Sequence, residues 1–130
     1  MYRVFFVVCL IAGCQQSPPM DLSPLSVDQL RIKTSDADPS IRWAAVFELG
    51  RRDGQATAAI SELTVRLSDD HVEVRRVATQ TIGIVFMHTE PPYDQDIQAA
   101  IDALNANEDT DETVKAGIRI ALAALAGKEK

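Results

Sequence analysis

One pattern that recurs three times constrains the fold of this 130-residue chain more than any other feature of its sequence. Each copy begins with an acidic turn, continues with an aliphatic and then a basic residue, and goes on with small and aliphatic residues. The copies are Asp36–Gly50, Ser68–Gly83 and Asp109–Gly127. Their basic residues stand 33 and 40 positions apart, at Arg42, Arg75 and Lys115. Because apolar residues recur at i, i+3, i+4 and i+8, each copy predicts one amphipathic helix.

Further helices are predicted between and before these copies. Segments Gln55–Ser68 and Tyr93–Asn105 each carry apolar residues on one helical face, and Val27–Lys33 supplies a degenerate helix ahead of the first copy. Turns rich in Asp, Ser and Asn separate the segments, and none shows the alternation of a strand. The sequence therefore predicts an all-α fold of five to six helices. Paired helices that repeat about every 40 residues are typical of an α-α superhelix.

The repeat resembles the HEAT repeat, in the short bacterial form that is also seen in the phycocyanobilin-lyase group. The resemblance rests on the acidic turns, on the dyads Ile41-Arg42, Val74-Arg75 and Val114-Lys115, and on the pairs Leu49-Gly50 and Ile82-Gly83. It implies a HEAT-like solenoid over residues 36–127 and says little of function, because such repeats serve many proteins. The third copy has Lys115 for arginine and Ala123 for glycine, as expected of a terminal repeat.

The resemblance also implies a role for the recurrent charges. In HEAT families the equivalent arginine pairs with acidic turn residues of neighbouring repeats. A structural ladder is thus expected from Arg42, Arg75, Lys115, Asp38 and Asp70. An anion-binding row is the alternative for the basic residues. The paired carboxylates of the turns, Asp36 with Asp38, Asp69 with Asp70 and Asp109 with Asp111, are compatible with helix caps or with metal and acid–base chemistry. Their recurrence favours caps, since an active site needs one constellation only.

The first residues predict an address rather than a part of the fold. After Arg3 comes an uncharged run, Val4–Ala12, which is shorter than the roughly 20 residues that span a bilayer. A basic start, a short apolar run and small residues before a cleavage point describe a secretory signal peptide. Its end, Ile11-Ala12-Gly13-Cys14, resembles the lipobox of bacterial lipoproteins. Cleavage before Cys14 and its acylation with chains such as palmitate are expected. An incidental apolar helix and a plain secreted protein are the alternatives.

Four parts of the chain follow from these patterns. They are a signal peptide at 1–13, a lipidated N-terminus and Pro/Ser-rich tether at 14–25, a HEAT-repeat domain at 26–127, and a charged tail at 128–130. Because Gln15 is not an aspartate, the lipoprotein resemblance implies the periplasmic face of the outer membrane. Cys9 leaves with the signal and Cys14 carries lipid, so no thiol remains for a disulfide or a metal. No cofactor or metal is expected at His71 or His88.

The function that these patterns favour is a non-enzymatic scaffold that binds a protein or peptide. The formal charge of −6 argues against a nucleic-acid partner. Candidate contact residues are Trp43, Phe47, Glu62, Arg66, Gln98 and Asp102. Trp43 and Phe47 are either covered by the segment around Leu25 and Leu30 or form an exposed aromatic patch. A lyase-like protein that handles a bilin, and a module whose copies self-associate through the open flank, are the other interpretations.

Overall fold

The computed structural model describes residues 20–128, and this part of the chain is helical without a strand. Its six α-helices are α1 (Val27–Lys33), α2 (Pro39–Gly50), α3 (Ile60–Arg66), α4 (Val72–Met87), α5 (Gln95–Asn105) and α6 (Glu112–Ala126). A 3-10 helix, Asp53–Ala59, leads directly into α3. The predicted all-α class and helix number are confirmed. The predicted signal peptide and Cys14 lie outside the described residues.

The helices form two layers. The three copies of the repeat fold into α2, α4 and α6, which pack side by side in chain order. The second layer contains α1, the 3-10 helix with α3, and α5, and each member packs on the first layer. Neighbours in space are thus neighbours in sequence, which is the arrangement of a solenoid. None of the helices within residues 20–128 is long and apolar enough to cross a bilayer.

Capping side chains begin most of these helices. Ser26 and Gln29 form a capping box at α1, while Asp38, Asp94 and Asp111 cap α2, α5 and α6. The segment that we predicted as one helix, Gln55–Ser68, starts instead as a 3-10 helix. Side chains three residues apart eclipse in a 3-10 helix, so Ala56 and Ala59 both face inward there, and both are fully buried.

The core lies between the two layers. Its largest fully buried apolar side chains are Phe86, Leu30, Leu49, Leu63, Ile82, Ile97 and Leu104. One glycine of α6, Gly117, lets α4 and α6 approach closely. A Cβ atom at Gly83 would lie 3.6 Å from the Ala121 Cβ, and one at Gly117 would overlap the Thr79 side chain. At Gly83 that distance is an ordinary contact, so the close approach depends on Gly117. Helix α4 continues past Gly83 to Met87.

Candidate functional site

Arginines of the first layer join each repeat to the next. Arg42 donates to both carboxylate oxygens of Asp69, from Nε at 2.8 Å and from Nη2 at 3.0 Å. Its Nη1 donates to the carbonyls of Asp36 and Ala37 in its own repeat, at 2.9 and 3.1 Å. This side chain is 11% exposed and that of Asp69 is 1% exposed, so the pair is buried. The planar guanidinium suits this bidentate geometry.

Arg75 repeats the arrangement one unit further along. Its Nε donates to Asp109 Oδ2 at 2.6 Å, and its Nη1 donates to the carbonyls of Asp69 and Asp70 at 2.9 and 3.4 Å. A second arginine, Arg76, reinforces this junction through a bidentate pair with Asp111 at 3.1 and 2.7 Å. The series ends at Lys115, which pairs with Glu112 of its own helix. The ladder thus has two rungs between repeats.

The acidic partners differ from those that we predicted. Asp69 and Asp109 accept the arginines, whereas Asp38 caps α2 by accepting from the Ser40 N–H at 2.8 Å, and Asp70 offers its carbonyl only. The reason is a shared turn. In each repeat the carboxylate of the first acid accepts a hydrogen bond from the backbone N–H two residues later, at 2.9–3.0 Å. The pairs are Asp36 with the N–H of Asp38, Asp69 with that of His71, and Asp109 with that of Asp111. Because this turn fixes the first acid facing the preceding arginine, Asp70 is left exposed.

These contacts keep the ladder carboxylates ionised. Burial raises the pKa of Asp69, but hydrogen bonds from Arg42 and the His71 N–H, with the charge of Arg66, outweigh it and lower the pKa. The same competition lowers the pKa of Asp109, whose donors are the Asp111 N–H and Arg75. Arg76 and the capped N–H groups of α6 hold the pKa of Asp111 well below its usual range. The ladder is an ion-pair network that stabilises the array and offers no free acid for proton transfer.

Trp43 and Phe47 form a stacked pair on α2. Their ring centroids are 5.0 Å apart and their planes differ by 9°. Trp43 packs partly on the core, and Phe47 is 46% exposed. The pair lines a groove of about 330 Å³ between α2 and the N-terminal segment; the other lining residues are Met20, Asp21, Leu22, Ala44, Glu48 and Arg51. The N-terminal segment thus covers one side through the buried Leu22 and leaves the outer side open.

The four polar candidates of the second layer fall into two groups. Glu62 accepts from Nη2 of Arg31 on α1 at 2.8 Å and so joins two helices. Nη1 of Arg66 donates to Asp69 at 2.9 Å and so joins α3 to the turn that follows it. Gln98 donates to Asp102 at 3.0 Å, and both lie exposed on α5. The structure therefore brings Glu62 and Arg66 into the scaffold and leaves Gln98 and Asp102 free to face a partner.

Two apolar residues of the same layer were not predicted. Ile32 on α1 is 75% exposed and Val65 on α3 is 59% exposed. They stand 33 positions apart, the spacing of the first two repeats, so they occupy equivalent places on neighbouring second helices. The signal for them in the sequence is an aliphatic residue outside the buried stripe that recurs at the repeat distance. A single exposed apolar side chain is common on protein surfaces, so what sets these two apart is their matching position in neighbouring units.

The histidines take part in the scaffold. Nδ1 of His71 lies 3.4 Å from Arg42 Nη2, and Nδ1 of His88 lies 2.9 Å from the Ile84 carbonyl. Within residues 20–128 no group of three or more His, Cys, Asp or Glu side chains is arranged to hold a metal ion.

Comparison with known families agrees with this geometry. Neither a curated protein nor a solved structure matches the chain. A family model for HEAT repeats matches residues 27–123, which is most of the chain and all of the helical array as far as α6. With its paired helices, its arginine ladder and this match, the chain belongs to the HEAT-repeat family.

Proposed function

We propose that this protein is a lipid-anchored, non-enzymatic scaffold of the bacterial cell envelope that binds a protein partner on its second-layer helices. HEAT repeats commonly mediate protein–protein interaction, which supports the general role. The observation that carries the proposal is the matched exposure of Ile32 and Val65 on adjacent helices. Apolar side chains in solvent stabilise a complex when a partner covers them.

The surface that they occupy is held in place before any partner arrives. The Arg31–Glu62 pair joins α1 to α3, and Arg66 joins α3 to the Asp69 turn. A preformed surface loses little conformational entropy on association, so more of the contact energy appears as affinity. This preorganisation supports binding of a partner in one orientation.

Charge at one end of this surface indicates the kind of partner. No Lys or Arg occurs between Arg76 and Lys115, and that interval contains eight acidic residues. Four of them are exposed on or next to α5, namely Asp94, Asp96, Asp102 and Glu108. A segment with apolar residues towards Ile32 and Val65 and basic residues towards α5 would complement the surface.

The membrane anchor is proposed from the lipobox pattern that ends at Cys14. Each buried methylene of an acyl chain contributes about 0.8 kcal/mol to membrane binding, and two or more chains give durable attachment. Since Gln15 follows Cys14, we place the protein on the periplasmic face of the outer membrane. Anchoring would restrict the search for a partner to the membrane surface.

The anchor is tested by expressing the full chain beside Cys14→Ser in a diderm bacterium. Intact mass is expected to correspond to residues 14–130 plus acyl chains, with partition into detergent. The Cys14→Ser protein should keep its signal peptide or lose membrane association. A wild-type mass without acyl chains would refute the anchor.

The partner surface is tested with a photo-crosslinking residue placed at Val65 in living cells. A discrete adduct is expected there, and it should disappear when Ile32→Asp is added. The control position is Arg119 on α6, which is exposed but lies in the other layer. An adduct pattern that is the same at both positions, or that ignores Ile32→Asp, would contradict the proposed surface.

A further inference from the structure

A second exposed surface lies at the N-terminal end of the array, and we call it the aromatic patch. It consists of Met20, Trp43, Phe47 and Arg51, which line the groove between α2 and the N-terminal segment. Met20 is 56% exposed and Phe47 46% exposed, and the Arg51 side chain is 63% exposed. We propose that this patch rests in the head-group region of the bilayer and orients the array on it. The inference rests on the proposed acylation of Cys14.

The length of chain between the anchor and the patch supports this occupant. Six residue steps separate Cys14 from Met20, and their fully extended length is about 20 Å. An acylated Cys14 therefore holds Met20 within about 20 Å of the membrane surface. The exposed Ile120 lies on α6, which is two helices beyond α2 in the first layer, and each step between packed helices is about 8–10 Å. The patch is thus at the end of the array that the anchor keeps close.

Hydrogen bonds fix the N-terminal segment, so the patch is preformed. Nη2 of Arg52 donates to the carbonyls of Ser23 and Leu25 at 2.8 and 2.9 Å. Leu22 is buried to 5% exposure against the array. Met20 is consequently held near the stacked rings rather than carried away on a free tether. Membrane contact would then cost little ordering of the chain.

The chemistry of the patch suits the interface between head groups and acyl chains. Tryptophan is enriched at that depth of a bilayer, and phenylalanine occurs beside it on the apolar faces of interfacial helices. Arg51 has an aliphatic stem and a charged end that can reach lipid phosphates, and its contact with Glu48 is long at 3.4 Å. Charges near the groove balance, since Arg51 and Arg52 face Asp21 and Glu48. The acidic character of the whole chain therefore does not oppose this contact locally.

The single tryptophan of the sequence makes the test direct, because all tryptophan emission comes from Trp43. The acylated protein is reconstituted into phosphatidylcholine vesicles with and without bromine atoms on the upper acyl chain. Bromine quenches tryptophan only at close contact, so a loss of emission in the brominated vesicles is expected. Phe47→Ser and Met20→Ser should each restore much of that emission. The matched control is Ile120→Ser, which removes an exposed apolar residue at the far end and should leave the quenching unchanged.

Three results would overturn the inference, and they are distinguishable. If the acylated protein floats with the vesicles but Trp43 is not quenched, the anchor stands and the patch does not touch lipid. A protein partner for the patch would then be indicated by envelope crosslinks from position 47. If mass analysis finds no acyl chain on Cys14, the proposed anchor fails and the membrane contact fails with it. Quenching that persists unchanged in Phe47→Ser and Met20→Ser would also contradict it.

Discussion

Asp69 is the side chain whose removal should harm this array most. Its carboxylate accepts four hydrogen bonds, two from Arg42, one from Arg66 and one from the His71 N–H. Asp69→Ala removes the carboxylate that pairs with the buried guanidinium of Arg42. It also opens the turn that leads into α4. The first effect dominates, because an unpaired buried charge costs more than a lost turn bond.

The magnitude follows from the burial of the pair. Removing one partner of a buried ion pair typically costs about 3–5 kcal/mol. Arg42 keeps two bonds to backbone carbonyls, and Arg66 is 18% exposed and can turn to water, so the lower end applies. We expect a loss of about 3 kcal/mol in the free energy of unfolding, out of the roughly 5–15 kcal/mol of an ordinary domain.

Urea denaturation followed by helical circular dichroism measures this loss. The matched control is Asp28→Ala, which breaks a 3.4 Å contact with Arg31 at a side chain that is 87% exposed, and should change stability by less than about 0.5 kcal/mol. The double variant Arg42→Met/Asp69→Ala should be more stable than Asp69→Ala alone, since it removes the buried charge at position 42 and leaves only Arg66, which can turn to water. A loss below about 1 kcal/mol for Asp69→Ala, or a double variant no better than the single one, would refute the buried-charge argument.

Three further predictions concern the packing and the ladder. Gly117→Ala should destabilise the array by about 1–3 kcal/mol in the same denaturation assay, because the new Cβ overlaps Thr79. Adding Thr79→Ala should recover part of this loss. The control Gly127→Ala places a Cβ where nothing lies within 4 Å and should be neutral. Leu22→Ala should cost about 2–4 kcal/mol because this side chain belongs to the core, whereas Met20→Ala should cost far less; equal effects would show that the N-terminal segment is not docked. The free energy of unfolding should fall on acidification. The reason is that the pKa values of Asp69 and Asp109 in the folded protein lie below the ordinary value of about 3.9. The stability that these two carboxylates contribute is therefore present above that pH and is lost as the pH falls through the folded values. Asp69→Asn should flatten this dependence in denaturation curves between about pH 5 and 2, and an unchanged slope would contradict the assignment.

Much of the fold could be predicted because its signals are local. The apolar spacing that gives α2, α4 and α6 repeats within a few turns of chain, and a helix buries that stripe whatever its neighbours are. The 3-10 start of the segment Gln55–Ser68 could not be predicted in the same way. Ala56 and Ala59 fit an α-helix as well as a 3-10 helix. Only the packing of this segment against α1, α2 and α4 decides between the two kinds of helix.

The candidate site was predicted less well, since it depends on distances across the array. The sequence indicated Trp43, Phe47 and the arginines, but it ranked Asp38 and Asp70 above the acids that pair. Whether Phe47 is covered depended on how far the N-terminal segment reaches over α2, and the structure leaves it 46% exposed. Ile32 and Val65 were missed because their one signal in the sequence, recurrence at the repeat distance, gains meaning only when the fold aligns the helices that carry them.

The sequence by itself determined the helical class and the repeat. These follow from periodicity and from capping residues, which act within one helix or one turn. Only the tertiary structure decided which carboxylates pair with Arg42 and Arg75. These arginines lie 27 and 34 residues before their partners in the sequence. It also decided how closely Gly117 lets α6 approach α4. Such choices are set by the spacing between packed helices, and that spacing depends on all the side chains between them.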